Sequence, residues 1–356
     1  MAFYYMIDNE KEDGRRTARN LLALKKKLTE EIPRRTVSDT LLLATWNIRE
    51  FDSAKYGDRT NEAYHYIAEI VSHFDLVAIQ EVRDDLRAIK QLKYILGDES
   101  WDFILTDVTE GTRGNRERMA FLYDAKKVRF GGLAGEIVLP EVRTPEGLKP
   151  VRQLARTPFV VGFQVGWFQF MLCTVHILYG KAVAVDPERL KEIEQLSDFL
   201  VKRAKEKHAW AKNLIVLGDF NIFRPTDVTL QAIQAAGFIV PPEIQALPSN
   251  VARNKHYDQI AFWAPRLERY LGTLKAGVFN YYDVVFRTED EALYPVAMGE
   301  GYEKKKNGAA RTAAEKSRYY GDWRTYQMSD HLPMWVELKI DFGEEYLEAK
   351  SKPSEG

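Results

Sequence analysis

A carboxylate and a carboxamide, two residues apart, end an apolar run in the second half of the sequence. Residues 216–221 read Val-Leu-Gly-Asp-Phe-Asn. Because side-chain direction alternates along a strand, Asp219 and Asn221 would leave the end of that strand on the same side. Nearer the end of the chain, residues 329–331 read Ser-Asp-His and precede another apolar run. Together these two segments indicate a site that handles phosphate with a metal ion.

Three further apolar runs also stop at polar side chains that a core does not need. The residues at these ends include Asn47, Glu81 and His176. Any one of them alone would more often be a turn residue, a helix cap or a structural histidine. In α/β sheets, however, ligands bind at the carboxyl ends of the strands. Four polar strand ends in one chain therefore predict one shared pocket.

The oxygen-bearing side chains of this set suit a hard divalent cation. Mg²⁺ and Mn²⁺ are held by carboxylate and carbonyl oxygens, and Glu81, Asn47 and Asp330 can supply them. No cluster of cysteines or histidines indicates zinc. Hydrolysis of a phosphodiester also needs a positioned and activated water molecule, a task for which Asp219 and Asn221 are suited.

The two histidines suit charge stabilisation and proton transfer to the leaving oxygen. A histidine in that role usually has a carboxylate partner that fixes its tautomer. Glu117 and Asp258 stand at the edges of apolar segments and are the candidate partners of His176 and His331. Which carboxylate serves which histidine is not determined by the residue types alone.

The elements that must position these residues alternate between apolar strands and amphipathic helices, which is typical of an α/β fold. The predicted strands are 41–47, 76–80, 101–107, 119–124, 158–165, 168–176, 213–218, 257–263 and 333–340. The predicted helices are 60–73, 84–96, 187–207 and 227–236.

The pattern divides the chain into an N-terminal helical extension, residues 1–38, a domain over 39–343 and a flexible tail over 344–356. In the extension, Leu21, Leu24 and Leu28 recur at helical spacing, and Pro33 should end the helix. This helix could serve dimerisation, partner docking or packing onto the domain. Within the domain, residues 299–324 are basic and poor in aliphatic side chains, which predicts a long surface loop, either solvated or facing the substrate.

The composition is that of a soluble globular protein with a formal net charge of −1, so any nucleic-acid surface must be local. The single cysteine, Cys173, cannot form an internal disulfide. No apolar stretch reaches the ~20 residues that a membrane span needs. These features favour a cytoplasmic protein, and they leave its oligomeric state open.

The four recognition segments, 46–49, 80–82, 218–221 and 329–331, together resemble the endonuclease/exonuclease/phosphatase superfamily. The resemblance covers about residues 41–341. Within that superfamily the chain is most similar to the deoxyribonuclease I branch, through Asn-Ile-Arg-x-Phe at 47–51 and Gln-Glu-Val-Arg-Asp at 80–84. It implies a four-layer sandwich of two packed mixed β-sheets flanked by helices.

The resemblance also implies that Glu117 pairs with His176 and Asp258 with His331. It implies further that Arg83 and Arg156 lie against the substrate, where an arginine can grip a phosphate with two hydrogen bonds. These implications predict a Mg²⁺- or Mn²⁺-dependent nuclease that cuts DNA or RNA, with DNA as the first expectation.

Several departures favour a competing function. Asn115 stands where the deoxyribonuclease has an aromatic residue against the DNA sugar, and the disulfides of the secreted enzymes are absent. The alternatives are a phosphatase or phosphodiesterase for a small or lipid phosphate, and a catalytically silent binding module. The second is disfavoured because every expected acid, base and ligand position holds a competent residue.

Overall fold

Two mixed β-sheets form the centre of the computed structural model, which describes residues 2–51, 53, 55–110, 114–264, 270–271 and 275–351. The strands in chain order are β1 (Thr40–Phe51), β2 (Leu76–Arg83), β3 (Trp101–Leu105), β4 (Glu117–Asp124), β5 (Arg129–Glu136), β6 (Val142–Thr144), β7 (Gly147–Lys149), β8 (Phe159–Val165), β9 (Phe168–His176), β10 (Leu214–Asp219), β11 (Asp258–Trp263), β12 (Lys275–Val278) and β13 (Met334–Lys339). Each strand expected from the sequence is present. The short or glycine-rich strands β5, β6, β7 and β12 were not expected.

The first sheet has the order β12-β13-β1-β2-β4-β3, and the second has the order β11-β10-β9-β8-β5. Strands β6 and β7 form a separate hairpin. In each large sheet one central pair is parallel, namely β1 with β2 and β9 with β10. Asn47 of β1 donates to Glu81 of β2 and to Asp219 of β10, so the polar residues of both sheets meet at the same end of the sandwich.

The alternation of side chains along β1 explains the layers. Leu41 and Leu43 belong to the core between the two sheets, whereas Leu42, Ala44 and Trp46 belong to a second core under the outer helices. Because both faces of β1 are covered, the strand reads as a continuous apolar run in the sequence.

The helices in chain order are α1 (Glu12–Glu31), α2 (Asn61–Ser72), α3 (Arg87–Leu96), α4 (Pro187–Lys205), α5 (Val228–Ala235), α6 (Pro242–Gln245), α7 (Pro295–Met298), α8 (Glu300–Glu303), α9 (Ala313–Gln327) and α10 (Gly343–Ser351). Helices α1, α2, α3 and α9 contribute to the outer core of the first sheet, and α4 and α5 pack on the second. This arrangement confirms the predicted four-layer α/β sandwich.

The predicted N-terminal helix is α1, and it ends at Glu31, two residues before Pro33. Its leucines are buried in the outer core. Arg16 forms an ion pair with the buried Glu62 of α2 at 2.7 Å. Of the three uses considered for this helix, packing onto the domain is the one that these contacts support.

The expectation of a long loop over 299–324 is wrong for most of its length. Helix α8 begins at Glu300, and α9 runs from Ala313 to Gln327. Tyr320 and Trp323 of α9 are buried in the outer core. The core-facing side of this helix is aromatic rather than aliphatic, which is why the composition suggested a loop. At the end of the chain, α10 is exposed, and residues 352–356 lie outside the described residues.

Candidate active site

The strand ends open into a cavity of about 400 Å³. Most of the predicted site residues line it: Glu81, Glu117, Arg156, His176, Asp219, Asn221, Asp330 and His331. Asn47 and Asp258 are buried behind this surface and bond to residues that line it. Arg83 lies at the rim, where its guanidinium donates to the carbonyl of Asn115 at 2.9 Å. The structure thus brings the whole predicted set together.

Strand register aligns three of these side chains. Asp219, the last residue of β10, stands opposite His176 of the parallel strand β9 and opposite Asp258 of the antiparallel strand β11. One row across the second sheet therefore carries an acid, a histidine and a second acid at the cavity floor.

The turn after β10 depends on backbone conformations that few residues adopt. Gly218 has φ +134°, and a Cβ built there would lie 2.1 Å from the carbonyl oxygen of Val175. Asn221 has φ +55° and donates its backbone N–H to Asp219 Oδ1 at 2.8 Å. Its side-chain amide donates to the carbonyl of Ile177 at 2.8 Å. Asp219 Oδ1 is therefore occupied, and Oδ2, which accepts from the side-chain amide of Asn47 at 3.0 Å, faces the cavity.

Two histidines approach Asp219 Oδ2, His176 from the end of β9 and His331 from the segment before β13. His176 Nδ1 lies 2.9 Å from Glu117 Oε2, and its Nε2 lies 3.6 Å from Asp219 Oδ2. His331 Nδ1 lies 2.8 Å from Asp258 Oδ2, and its Nε2 lies 3.7 Å from the same Asp219 oxygen. Each imidazole is thus held by one carboxylate through Nδ1 and presents Nε2 to the reaction space, as the resemblance implied.

The surrounding charges favour protonated imidazoles. Burial alone would lower the pKa of His176, but the carboxylates of Glu117 and Asp219 raise it above its ordinary value. Asp258 and Asp219 likewise outweigh burial and raise the pKa of His331 well above its ordinary value. Both histidines can therefore act as proton donors near neutral pH.

Glu81 is positioned by a β-bulge. The register of β2 against β4 shifts between Ile79 and Val82, and Glu81 has φ +63°. Its carboxylate accepts from the amide nitrogen of Asn47 at 2.9 Å and from the backbone of Glu50 at 2.7 Å. No cation of the described residues lies within salt-bridge distance of it, and burial raises the pKa of the Glu81 carboxyl.

These features fit a bound divalent cation. Asn47 Oδ1 is buried and has no hydrogen-bond partner, although the same amide donates to Glu81 and, at 3.0 Å, to Asp219. Among the described residues, a carboxylate without a salt bridge beside an amide oxygen without a hydrogen bond is the donor set that Mg²⁺ or Mn²⁺ would complete. Asp330, on the cavity wall, can add a second carboxylate.

A different trio, Glu81, Glu117 and His176, also places three possible ligand atoms within 4.8 Å of one another. Glu117 is a poor ligand candidate, because Arg156 Nε donates to its Oε2 at 2.8 Å and Asn115 donates to its Oε1. His176 is engaged with Glu117 through Nδ1. The oxygen donors Asn47, Glu81 and Asp330 therefore fit an ion better than this trio does.

Residue-by-residue reasoning did not single out several side chains that line the cavity: Arg49, Glu50, Tyr179 and Tyr257. Arg49 follows Asn47 by two residues, so period-two alternation could have revealed it. Tyr257 stacks on His331 with ring centroids 5.4 Å apart, a contact that no local sequence pattern predicts. Arg156 reaches the cavity but is paired with Glu117, so it is less free for a substrate than expected.

A family model, described as the Endonuclease/Exonuclease/phosphatase family, matches residues 44–232. A deoxyribonuclease of Thioalkalivibrio sp. (strain K90mix) is 32% identical over 196 residues, which cover 54% of this chain and 48% of that protein. Deoxyribonuclease-1 of Oryctolagus cuniculus is 26% identical over 261 residues, covering 69% of this chain and 85% of the relative.

Among solved structures, an endonuclease/exonuclease/phosphatase family protein from Bacteroides thetaiotaomicron shares the fold. The TM-score is 0.53 at 18% identity, with 85% of this chain and 98% of the other covered. The chain thus spans about half the length of the bacterial deoxyribonuclease and most of the mammalian one. Within the described residues, no helix combines the length and apolarity needed to cross a membrane.

Proposed function

Because the chain belongs to the endonuclease/exonuclease/phosphatase family, on its deoxyribonuclease I-like branch, we propose that it is a divalent-metal-dependent hydrolase of phosphodiester bonds, and specifically a nuclease that cuts DNA. One observation carries the proposal. Two carboxylate-held histidines present Nε2 to the same oxygen of Asp219, 3.6 and 3.7 Å away, inside one cavity. Such a set can both accept a proton from water and return one to a leaving oxygen.

In the proposed mechanism, Asp219 is the general base. Its Oδ1 is held by the backbone of Asn221 and its Oδ2 by the amide of Asn47. A second lone pair of Oδ2 can receive the proton of a water molecule that attacks phosphorus in line with the leaving oxygen. Asn221 is thus a positioning residue as well as part of the wall.

The histidines act on the charge that develops during this attack. Protonated Nε2 atoms of His176 and His331 donate to phosphoryl oxygens, and one of them gives its proton to the leaving oxygen. Glu117 and Asp258 hold the two rings by their Nδ1 atoms, which keeps each proton donor aimed at the cavity.

Asn47, Glu81 and Asp330 would hold the metal ion. When bound, Mg²⁺ or Mn²⁺ neutralises charge on the phosphate and polarises its oxygens.

The choice of DNA rests on the relatives whose names are deoxyribonuclease and on the arginines around the opening, Arg83 and Arg49. Arginine recognises phosphate by paired hydrogen bonds, and a polymer offers phosphates on both sides of the reacting one. RNA offers the same backbone chemistry.

A second candidate is a phosphatase or phosphodiesterase for a small molecule. Asn115 lines the cavity, and Arg156 is already paired with Glu117. Both observations weaken the grip on a long substrate and favour this alternative.

The test is hydrolysis of supercoiled plasmid DNA with Mg²⁺ or Mn²⁺, alongside the Asp219→Ala protein purified in the same way. We expect metal-dependent nicking that falls by several orders of magnitude in the variant while its thermal unfolding stays near wild type. Nicking retained by Asp219→Ala would remove this residue from the mechanism. No nicking, with turnover of bis-p-nitrophenyl phosphate, would favour the second candidate.

We also propose that residues 1–38 form an extension of a single domain over 39–343, because α1 contributes its leucines to the domain core. A reducing compartment such as the cytoplasm is our proposal for its location, supported by the single buried cysteine, Cys173.

A further inference from the structure

A second, larger cavity of about 800 Å³ lies between α8, α9 and the segment that follows β1. It is lined by three acidic side chains and by twice as many cationic ones: Lys55, Lys304, Lys305, Lys306, Arg311 and Arg318. A concave surface with excess positive charge concentrates anions, although the net charge of the whole chain is −1.

Three of these cations are available to a ligand. Lys305 is paired with Glu315 at 2.6 Å. By contrast, Lys304, Lys306 and Arg318 have exposed side chains and form no salt bridge with any residue in the part of the chain that the structure describes. Exposed cations that face one cavity without acidic partners are the donors that phosphate groups require.

Aromatic rings complete the surface. Tyr56 and Tyr319 line the cavity with their ring centroids 5.3 Å apart, and Arg311 lies over the ring of Tyr319 at 4.9 Å. Proteins that hold single-stranded nucleic acid combine cationic grooves with aromatic side chains in this way.

The basic cavity adjoins the candidate active site at Tyr326 and at the ion pair of Lys55 with Glu50, which are 3.9 Å apart. Lys55, which lines the basic cavity, donates to the hydroxyl of Tyr326 at 2.7 Å. Arg49, which lines the active-site cavity, lies over the ring of Tyr326 at 4.1 Å. A strand that leaves one cavity past Tyr326 enters the other.

We propose that this basic cavity is a second phosphate-binding site, which holds the backbone of a single nucleic-acid strand beyond the bond that is cut. The inference rests on the proposed nuclease function and adds the part of the substrate that lies outside the active site. Lys304, Lys306 and Arg318 are its phosphate contacts.

The test replaces these three cations together, as Lys304→Gln, Lys306→Gln and Arg318→Gln. The matched control replaces three exposed lysines on or near the opposite layer, as Lys126→Gln, Lys202→Gln and Lys207→Gln. Both sets remove the same charge, and neither touches a buried side chain, so both proteins should unfold at wild-type temperature.

Binding of a fluorescent 30-nucleotide single strand is measured by anisotropy in Mg²⁺ over a salt series, with Asp219→Ala in every protein to prevent cleavage. We expect the cavity variant to bind at least about 10-fold more weakly at physiological salt. Its salt slope should be lower by about 0.7 for each lost contact, or about 2 in all. The control should follow the parent protein. Equal affinities and slopes in the two triple variants would overturn the proposal.

Hydrolysis of bis-p-nitrophenyl phosphate, with Asp219 restored, separates this site from the catalytic one. A substrate of that size does not reach the second cavity, so the cavity variant should hydrolyse it at the wild-type rate. A parallel loss of this activity would place the three cations in the active site and overturn the proposal. If the wild-type protein cleaves no nucleic acid, the nuclease function fails, and the anisotropy result still decides whether the cavity holds a strand.

Discussion

Replacement of Glu117 by glutamine tests the link between the charge network and both stability and rate. Its carboxylate lies 2.9 Å from His176 Nδ1 and accepts from Arg156 Nε at 2.8 Å. Burial alone would raise the pKa of Glu117, but these two cations outweigh it and lower the pKa to about 2. The native state therefore strongly prefers the ionised form of this side chain.

The pKa gives the size of the effect. A carboxyl with a pKa of 4.5 in the unfolded chain and about 2 in the native protein contributes about 3 kcal/mol to the free energy of unfolding at pH 7. Because the native pKa is the lower one, this contribution is complete above pH 4.5. It is lost as the pH falls from there towards 2. Glutamine cannot ionise, so Glu117→Gln should lack the contribution at every pH.

Urea unfolding of the wild-type protein and of Glu117→Gln, between pH 7 and pH 4, measures this contribution to the free energy of unfolding. We expect the free energy of unfolding of Glu117→Gln to be about 3 kcal/mol lower than that of the wild type at pH 7. At pH 4 this difference should be smaller by about 1 kcal/mol. Glu141→Gln makes the same chemical change at an exposed position and should leave stability within about 0.5 kcal/mol. A gap below about 1 kcal/mol, or one that does not vary with pH, would refute the reasoning.

The same variant should also lose activity, because His176 Nδ1 would no longer face a carboxylate that holds the ring and stabilises its charge. Removing such a partner costs about 10² to 10⁴ in kcat in comparable acid–base systems. Turnover of bis-p-nitrophenyl phosphate at saturating metal concentration measures this loss in kcat. A protein that is destabilised as expected but keeps the wild-type kcat would show that Glu117 serves the fold alone.

Two further outcomes follow from the geometry. Glu81→Gln keeps the shape of the side chain but removes its charge. The Mg²⁺ concentration that gives half-maximal activity should therefore rise at least about 10-fold. An unchanged metal dependence would contradict the assignment of Glu81 as a ligand. Leu24→Ala in α1 should lower the free energy of unfolding by about 2–5 kcal/mol, because Leu24 is fully buried. The control Leu22→Ala, at a side chain that is 70% exposed, should change it little. Equal small effects of the two variants in urea unfolding would show that α1 does not contribute to the stability of the domain.

The candidate site was predictable because its polar residues stand where apolar runs end. Asn47, Glu81, His176 and Asp219 each close an apolar run, and the parallel pairs bring those ends to one edge of the sandwich. The pairing of each histidine with its carboxylate depends on strand register. The resemblance supplied this pairing, because no single segment of the sequence determines the register between strands.

The helix α9 was missed because its buried face is not aliphatic. Tyr320, Trp323 and Tyr326 fall at intervals of three residues and are all buried. Tyrosines can be buried when their hydroxyls find partners, and that of Tyr320 donates to the carbonyl of Arg287 at 2.7 Å. Among so many charged neighbours, three aromatic residues do not resemble the apolar stripe by which helices are usually recognised.

No local sequence pattern predicts the backbone conformations of the residues that line the cavity. Of the seven non-glycine residues with positive φ in the described part of the chain, four line the active-site cavity: Glu50, Glu81, Asn115 and Asn221. Each such conformation costs about 1 kcal/mol or more, so it persists only where other contacts impose it. Asn221 is held by Asp219, and the backbone of Glu50 is held by Glu81. Local sequence rules favour glycine or asparagine at such positions, and two of the four residues, Glu81 and Asn221, belong to the proposed mechanism. The strain is concentrated where the side chains are needed, and this supports their proposed role in the reaction rather than in folding.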